Sequence, residues 1–445
     1  MSLLPLLQQA VELALSRNAT DAECTAAEGG EFSVTVRRGE VEKLKEAGSR
    51  GMGIRVLQGL RAGSAYTSDL TREGIDRMVA SAIDNAGVTG EDPFNELPDA
   101  SQFGSLRGDL GLNVEEPLDT PGRIDLARRA EAAALGADPR ITNTEGGNFE
   151  SYAGARYFAN SRGFAGEYRS GSCGLGAFPI AELDGKMERD YWWSAARSSA
   201  QLEPAGYIGR KAAERTLRRL GSRKVATQKA VIVFEPRVAR SLLDHLFEAV
   251  SGDSLYQDAS FLKGRLGQQV AAASVNVIDD STIPGLWGTS PFDAEGLPSR
   301  RTTVIENGIL TSYLLNTYTA RKLGLKSTGN ASRGLSGGTY VGNGNFFLQA
   351  GSLSPEEVIR QAGTGLYVTE LLGQGVNVVN GDYSRGAAGL WIENGELTHP
   401  VSEVTIAGNL QAMLMSIEAI GSDLEFRGAM AAPTILIREM TISGN

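Results

Sequence analysis

Residues 241–255, SLLDHLFEAVSGDSL, hold His245, one of only two histidines in the chain, with Asp244 and Glu248 close by. At about 100° per residue, Ser241, Asp244, His245 and Glu248 fall on one helical face. Ala239, Leu242, Leu243, Leu246 and Val250 form the opposite stripe. An imidazole and a carboxylate three positions apart are metal-ligand types, but a protein site needs about three such ligands in a closed or nearly closed geometry. The second histidine, His399, lies far along the chain beside Pro400, and no H-E-x-x-H pattern occurs. The stretch therefore reads as the solvated face of an amphipathic helix. A metal held by Asp244, His245, Glu248 or His399 is the weaker alternative.

GLSGG (334–338) has the spacing of a nucleophile elbow around Ser336. That elbow needs a strand before it and a helix after it. Here it sits in STGNASRGLSGGTYVGNGNF, a Gly- and Asn-rich loop, and two histidines leave little to act as base. GMGIRV and GLGAF do not lead from a strand into a helix N-terminus and are not phosphate loops. Arg210, Lys211, Arg215, Arg218, Arg219, Arg223 and Lys224 concentrate positive charge in the last turns of a helix and just beyond, where it suits the helix dipole. This cluster is expected to be a solvated helix end or a subunit contact.

The elements that position these residues follow from composition and period. The chain has 445 residues, enough for two or three domains, with 41% hydrophobic and 22% charged residues. Fifty-five glycines spread in pairs and turns fit many short strands joined tightly. A net charge of −10 argues against a nucleic-acid partner, which requires a basic face. Two cysteines, Cys24 and Cys173, make no disulfide framework and fit a reducing compartment. The opening MSLLPLLQQAVELALSRNATDAE reads as an amphipathic helix of a cytoplasmic protein, and no apolar run approaches the ~20 residues that span a bilayer.

EFSVTVRRGEVEKLKEAG and GMGIRVLQGLRAGSAYTS read as an antiparallel meander, followed by a helix with Ile75, Met78, Val79, Ala82 and Ile83 at helical spacing and Gly87 as its cap. After a linker around 89–118 the pattern recurs. Thr120 and Pro121 are expected to start a helix running to Gly136, GLGAFPIAELDGKMERDYWW supplies strands, and GYIGRKAAERTLRRLG closes the unit. This is a duplication at supersecondary level. From residue 223 the chain turns β-rich. VIENGIL and WIENGEL carry Asn-Gly hairpin signals, Ser354 and Glu357 a capping box, NLQAMLMSIEAIG a helix through Leu410, Met413, Leu414 and Ile417, and TILIREMTI a final strand. The expected fold is α+β: a unit at 1–108, a central unit at 109–222, both of antiparallel strands plus helices, and a large β-rich domain at 223–445.

The blocks SGDSLYQDASFLKGRLGQQV (251–270), PFDAEGLPSRRTTVIENGILTSYLLNTYTARKLGLKSTGNASRG (291–334), GQGVNVVNGDYSRGAAGLWIENGEL (373–397) and VSEVTIAGNLQAMLMSIEAIGSD (401–423) make the chain resemble the TldD/PmbA family, named for modulators of DNA gyrase and grouped with metallopeptidases. The closer resemblance is to its PmbA (TldE) branch. The resemblance implies a cytosolic two-component protease. TldD carries the metal, zinc, on an H-E-x-x-x-H helix with a distant Cys, and PmbA is the partner without a metal, active only in that complex. It further implies a heterodimer, or a homodimer when alone, that acts on unfolded peptides in peptide maturation and antitoxin turnover.

Matching the Gly-Asp after the TldD helix to Gly252-Asp253 sets the motif on Leu243, Asp244 and Glu248, which lack both histidines. IGSDLEFRGAMAAPT likewise holds no cysteine. The expectation is thus no catalytic or metal residue and no cofactor in this chain, no nucleic acid and no membrane. Asn330, Arg333 and Arg385 are the candidates for peptide binding, through loops and strand edges that pair with extended backbone. The alternative is a non-catalytic scaffold or regulatory peptide-binding protein.

Overall fold

The structure, a computed structural model, describes residues 2–106 and 108–444. The first unit runs α1 (Leu4–Ser16), β1 (Asp21–Arg37), β2 (Glu40–Gln58), β3 (Arg61–Thr67) and α2 (Arg72–Val88). The second repeats that order with α3 (Thr120–Leu135), β4 (Ile141–Asn160), β5 (Ala165–Leu183), β6 (Lys186–Arg189), β7 (Trp192–Ala196) and α4 (Ala205–Leu217). All seven strands form one sheet, ordered β3-β2-β1-β4-β5-β6 with β7 also on β5. The first strands of the two repeats, β1 and β4, lie antiparallel from the Glu23–Asn160 pair to the Val36–Gly147 pair. The expected duplication is therefore two units joined back to back across one sheet.

Alternation along β1 sets which face of the sheet is covered. Ala22, Cys24 and Ala26 pack with α1 and α2. Phe32, Val34 and Val36, on the same face further along, pack with α3 and α4. The intervening side chains, Glu23 among them, point to the opposite face, which receives the C-terminal part. There Leu335 lies against Gly51 and Gly53, and a Cβ on Gly53 would stand 1.8 Å from the Leu335 carbonyl oxygen. The G-x-G of GMGIRV is thus a place of backbone approach.

The C-terminal part begins with β8 (Gln228–Phe234), α5 (Pro236–Val250), α6 (Gly252–Tyr256), β9 (Val277–Asp280), β10 (Arg301–Glu306) and β11 (Ile309–Leu310). It continues through α7 (Thr317–Leu323), β12 (Ala331–Ser332), β13 (Tyr340–Val341), β14 (Phe346–Leu348), α8 (Pro355–Ala362), β15 (Gly365–Leu372) and β16 (Asp382–Glu393). The last elements are β17 (Glu396–Asn409), α9 (Leu410–Met415), β18 (Ile417–Ile420), β19 (Met430–Ala431) and β20 (Ile435–Ser443). One sheet runs β17-β16-β15-β8-β20-β18, and β17 also pairs with β20, so five of its strands close into a ring. A second sheet is ordered β11-β10-β9-β14-β19. Along β8, Ile232 and Phe234 pack with the apolar stripe of α5. Val233 packs under α8 with Val358.

Both Asn-Gly turns form as expected, with positive φ at Asn307 and Gly308 and at Asn394 and Gly395. The Ser354 capping box is present. Three details differ. The cap of α3 is Asp119, whose carboxylate accepts from the Gly122 N–H, rather than Thr120. α2 runs past Gly87 to Val88, because Thr89 ends it in extended conformation. Ile417 opens β18 rather than continuing α9, since its backbone pairs with Ile437.

Candidate functional site

His245, with Asp244 and Glu248 beside it in sequence, lies on α5. Pro236 occupies its first turn, Ser251 ends it, and the Ser251 hydroxyl accepts from the Asp253 N–H to start α6. Leu242, Leu243 and Leu246 are buried as the spacing requires, and Asp244 and Glu248 are exposed on the other side. Leu243 is 3% exposed and carries no donor atom, so of the three positions matched to the metal motif only two hold oxygen ligands. Cys24 and Cys173 are buried in the N-terminal sheet. Among the described residues no group of three or more His, Cys, Asp or Glu side chains is arranged to hold a metal. At the positions matched to the metal motif, Leu243, Asp244 and Glu248 do not supply the two histidines that motif places there. His399, at the start of β17, is paired with the Thr398 hydroxyl at 3.1 Å and does not join His245.

The polar face of α5 looks onto β16. The His245 and Tyr383 rings stand 6.3 Å apart at 77°. Three buried polar atoms meet here without a hydrogen-bond partner: His245 Nε2, the Tyr383 hydroxyl and Arg385 Nε. Arg385 adjoins the Tyr383 hydroxyl, but no well-aligned hydrogen bond joins them. Burial, and then the Arg385 charge, hold His245 below the ordinary imidazole value. Although Asp244 is exposed overall, partial desolvation by its neighbours raises its carboxyl against the opposing pull of Arg240, His245 and Arg385. Ser241 and Arg385 line a cavity of 430 Å³ whose wall includes Phe178 stacked on Tyr191 at 5.6 Å.

Beside that cavity the basic cluster divides: Arg210, Arg223 and Lys224 are exposed as expected, whereas Arg215, Arg218 and Arg219 turn inward. Arg215 is 4% exposed and grips Glu235 with two nitrogens at 2.7 and 3.1 Å, while its Nε lies 3.2 Å from Asp190. Arg237 adds contacts to both acids, and Arg219 reaches Glu188 and Glu370. Arg215 and Arg219 thus reach from the end of α4 to carboxylates of both the central unit, Asp190 and Glu188, and the C-terminal part, Glu235 and Glu370.

Asn330 and Arg333 line a different cavity, of 460 Å³, between the open face of the first sheet and the 329–344 loop. The Asn330 amide donates to Asp279 at 2.7 Å and to the Gly342 carbonyl at 3.1 Å. The Arg333 guanidinium lies 2.8 Å from Glu23 and 5.1 Å from the centre of the Phe158 ring. Both side chains are thus tied to the interior, and Arg385 stands apart from them. Burial pushes Asp279 up to about 6 and also raises Asp293 and Glu295 nearby. Ser336 sits in an exposed turn between β12 and β13, so the strand-to-helix elbow does not form. Sequence reading missed Tyr383. The signal was present in GDYSRG, where Tyr and Arg two apart share one face of a strand leaving a glycine turn.

Comparison with known proteins places this geometry. Models of the PmbA/TldA metallopeptidase domains match along the chain: domain 1 over residues 22–86, the central domain over 114–220 and the C-terminal domain over 227–444. The chain is 41% identical to Metalloprotease PmbA of Escherichia coli O157:H7, over 99% of this chain and 96% of that protein. It is 23% identical to a Metalloprotease TldD homolog of Buchnera aphidicola, over 85% and 80%. A crystal structure from Bacteroides thetaiotaomicron, of a candidate modulator of DNA gyrase, superposes with a TM-score of 0.91 at 28% identity, covering 99% and 98% of the two chains. TldE of Thermococcus kodakarensis shares the fold, with a TM-score of 0.87 at 20% identity and coverage of 99% and 100%. With all three family domains matched in order, the chain belongs to the PmbA/TldD metallopeptidase family.

Proposed function

We propose that this chain is the PmbA/TldE-type subunit of a two-component TldD–TldE metalloprotease, and that the zinc belongs to a TldD-like partner. The observation that supports this most is Leu243. It occupies the metal-helix position from within the core, 3% exposed, where a histidine would have to leave the apolar stripe to reach a metal. The role left to the chain is to wall a substrate chamber with the polar side of α5 and the strands facing it. Its substrates are unfolded peptides, held by their backbone and so chosen with little regard to side chains. The cytoplasm suits its two free, buried cysteines. Among the described residues no helix is long and apolar enough to cross a membrane.

The test is hydrolysis of an unfolded peptide by the purified chain, alone and mixed with a TldD-like partner, each with and without a chelator. Cleavage confined to the mixture and lost with chelator is expected. Chelator-sensitive cleavage by this chain alone would overturn the proposal, and no cleavage in either sample would favour a scaffold.

A further inference from the structure

The 460 Å³ cavity between the open face of the first sheet and the C-terminal part is unbalanced in charge. Three arginines line it, Arg156, Arg197 and Arg333, against one carboxylate, Asp293. Arg333 is paired with Glu23. Among the described residues no carboxylate comes within ion-pair distance of Arg156 or Arg197. Asp293 is committed elsewhere, its two oxygens accepting the N–H groups of Glu295, Leu297 and Ala331. Burial, and then the neighbouring Glu295, raise that carboxyl toward its neutral form. Arg197 is held in place without a counter-charge. Its guanidinium donates to the carbonyls of Gly285 at 2.9 Å, Gly171 at 3.1 Å and Leu286, and lies 5.1 Å from the centre of the Trp287 ring. Burial holds it below the ordinary arginine value, the reverse of what a paired cation shows. A half-buried charge in this condition is costly unless something else balances it.

The floor of the cavity adds donors that have no acceptors. Along β4 and β5 the open face carries Tyr152, Gly154 and Arg156 opposite Ser172, Ser170 and Tyr168. The Tyr152 ring lies flat over Gly29 and Gly154, its hydroxyl standing where a Cβ on Gly154 would be, so glycine is required beneath it. That hydroxyl is next on the face to the Arg156–Tyr168 pair. The hydroxyls of Tyr152, Tyr168 and Ser170 make no hydrogen bond to another described residue. Arg156 is exposed, and Arg197, Tyr152, Tyr168 and Ser170 are half-buried, so a solute in the cavity can reach all five. Tyr168 stands at their centre, within electrostatic reach of Arg156, Tyr152 and Arg197 together.

Two unbalanced guanidinium charges and three open hydroxyls suit an acceptor of high charge. A carboxylate brings two oxygens and a single charge. A phosphate monoester brings three oxygens and about −1.5 to −2. We propose that this cavity is a phosphate-monoester site, in which Arg156, Tyr152, Tyr168 and Ser170 bind the phosphate oxygens and Arg197 supplies a second fixed charge. Phe292 and Trp287 flank the group that carries the phosphate. The volume falls within the range of small-molecule sites, about 300–1,000 Å³. The phosphate belongs either to a free small molecule or to a phosphorylated side chain. This goes beyond the subunit role proposed above and does not depend on it.

Calorimetric titration of the full chain at fixed ionic strength tests the site. Glycerol phosphate is expected to bind saturably, one per chain, and about tenfold more tightly than glycerate, its carboxylate counterpart. R156Q, at an exposed position, is expected to weaken glycerol phosphate about tenfold, and Y168F several-fold. R169Q makes the same charge change on the other face of β5 and is expected to leave binding as it was. A capped peptide with one phosphoserine that binds more tightly than glycerol phosphate assigns the phosphate to a side chain, and the reverse order assigns it to a free small molecule. Equal losses in R156Q and R169Q would reveal diffuse attraction to positive charge and overturn the site. Glycerate binding as tightly as glycerol phosphate overturns the ligand class, and the absence of saturable binding by either phosphate form overturns the proposal as a whole.

Discussion

The first turn of α5 and its middle both carry buried polar groups, in opposite states. At the first turn, burial alone would raise Glu235, but Arg215 and Arg237 overcome it and hold the carboxyl below its ordinary value. Asp190 is held low in the same way. Each charge there has partners on two elements, and the network locks α4 of the second repeat to the start of α5. Two turns further on, His245, Tyr383 and Arg385 keep a guanidinium, a hydroxyl and an imidazole together with no such pairing. The contrast is between buried polarity that is charge-paired and joins parts of the fold and buried polarity that is not.

The largest effect expected from breaking this contrast is R215M. It leaves Glu235 and Asp190 buried with fewer counter-charges and costs about 3 kcal/mol in denaturant unfolding. A loss under about 1 kcal/mol would show that Arg237 and Arg218 suffice, and the joint would no longer be distinctive.

Asp279 sharpens the comparison next, because it is buried with hydrogen bonds from Asn330 and Gly344 but with no cation. Its folded value, about 6 against an ordinary 3.8, lies above the unfolded one. The folded state therefore binds more protons in that window, and this stability is full below about pH 4 and lost as pH rises through about 6. The upper bound is about 3 kcal/mol, at about 1.4 kcal/mol per pH unit. Urea midpoints between pH 4 and 7 should fall less steeply in D279N than in the parent, and identical slopes would refute the assignment. Glu235 and Asp190, held low, act with the opposite sign and at lower pH.

The smallest effect belongs to the open set. Y383F deletes an unpartnered hydroxyl without changing the ring, so the ligand-free protein should keep its stability or gain up to about 1 kcal/mol. A clear loss by the same unfolding measurement would mean the hydroxyl already has a partner, and the contrast with the Arg215 network would collapse.

Local periodicity carried most of the legible fold. The apolar stripe of α5 was readable because 3.6-residue spacing reports burial directly, and the Asn-Gly hairpins because those residues accept positive φ. The repeat was visible as a recurring order of turns and helices, but the pairing of β1 with β4 was not. The closing pair, Thr405 beside Ser443, is likewise decided by packing far from either sequence neighbourhood. The site failed in the same way. Arg215 looked like any solvated helix-end cation, since nothing near it announces Glu235 and Asp190 as partners. His245 was visible, yet the residues that give it meaning lie on a strand more than a hundred positions later.

The ring of five strands also sets an order of events. β8 takes β15 on one side, with Gly365 beside Val231, and β20 on the other, with Ile442 beside Gln228. Its second neighbour is thus more than two hundred residues away and is the last strand among the described residues. On the ribosome the first sheet, complete by residue 196, can assemble early. β8 and α5 must wait for β20, with their apolar sides uncovered. The second half of this protein is therefore the half whose apolar surface stays uncovered longest during synthesis, and a truncation that reaches into β20 would remove a closing strand.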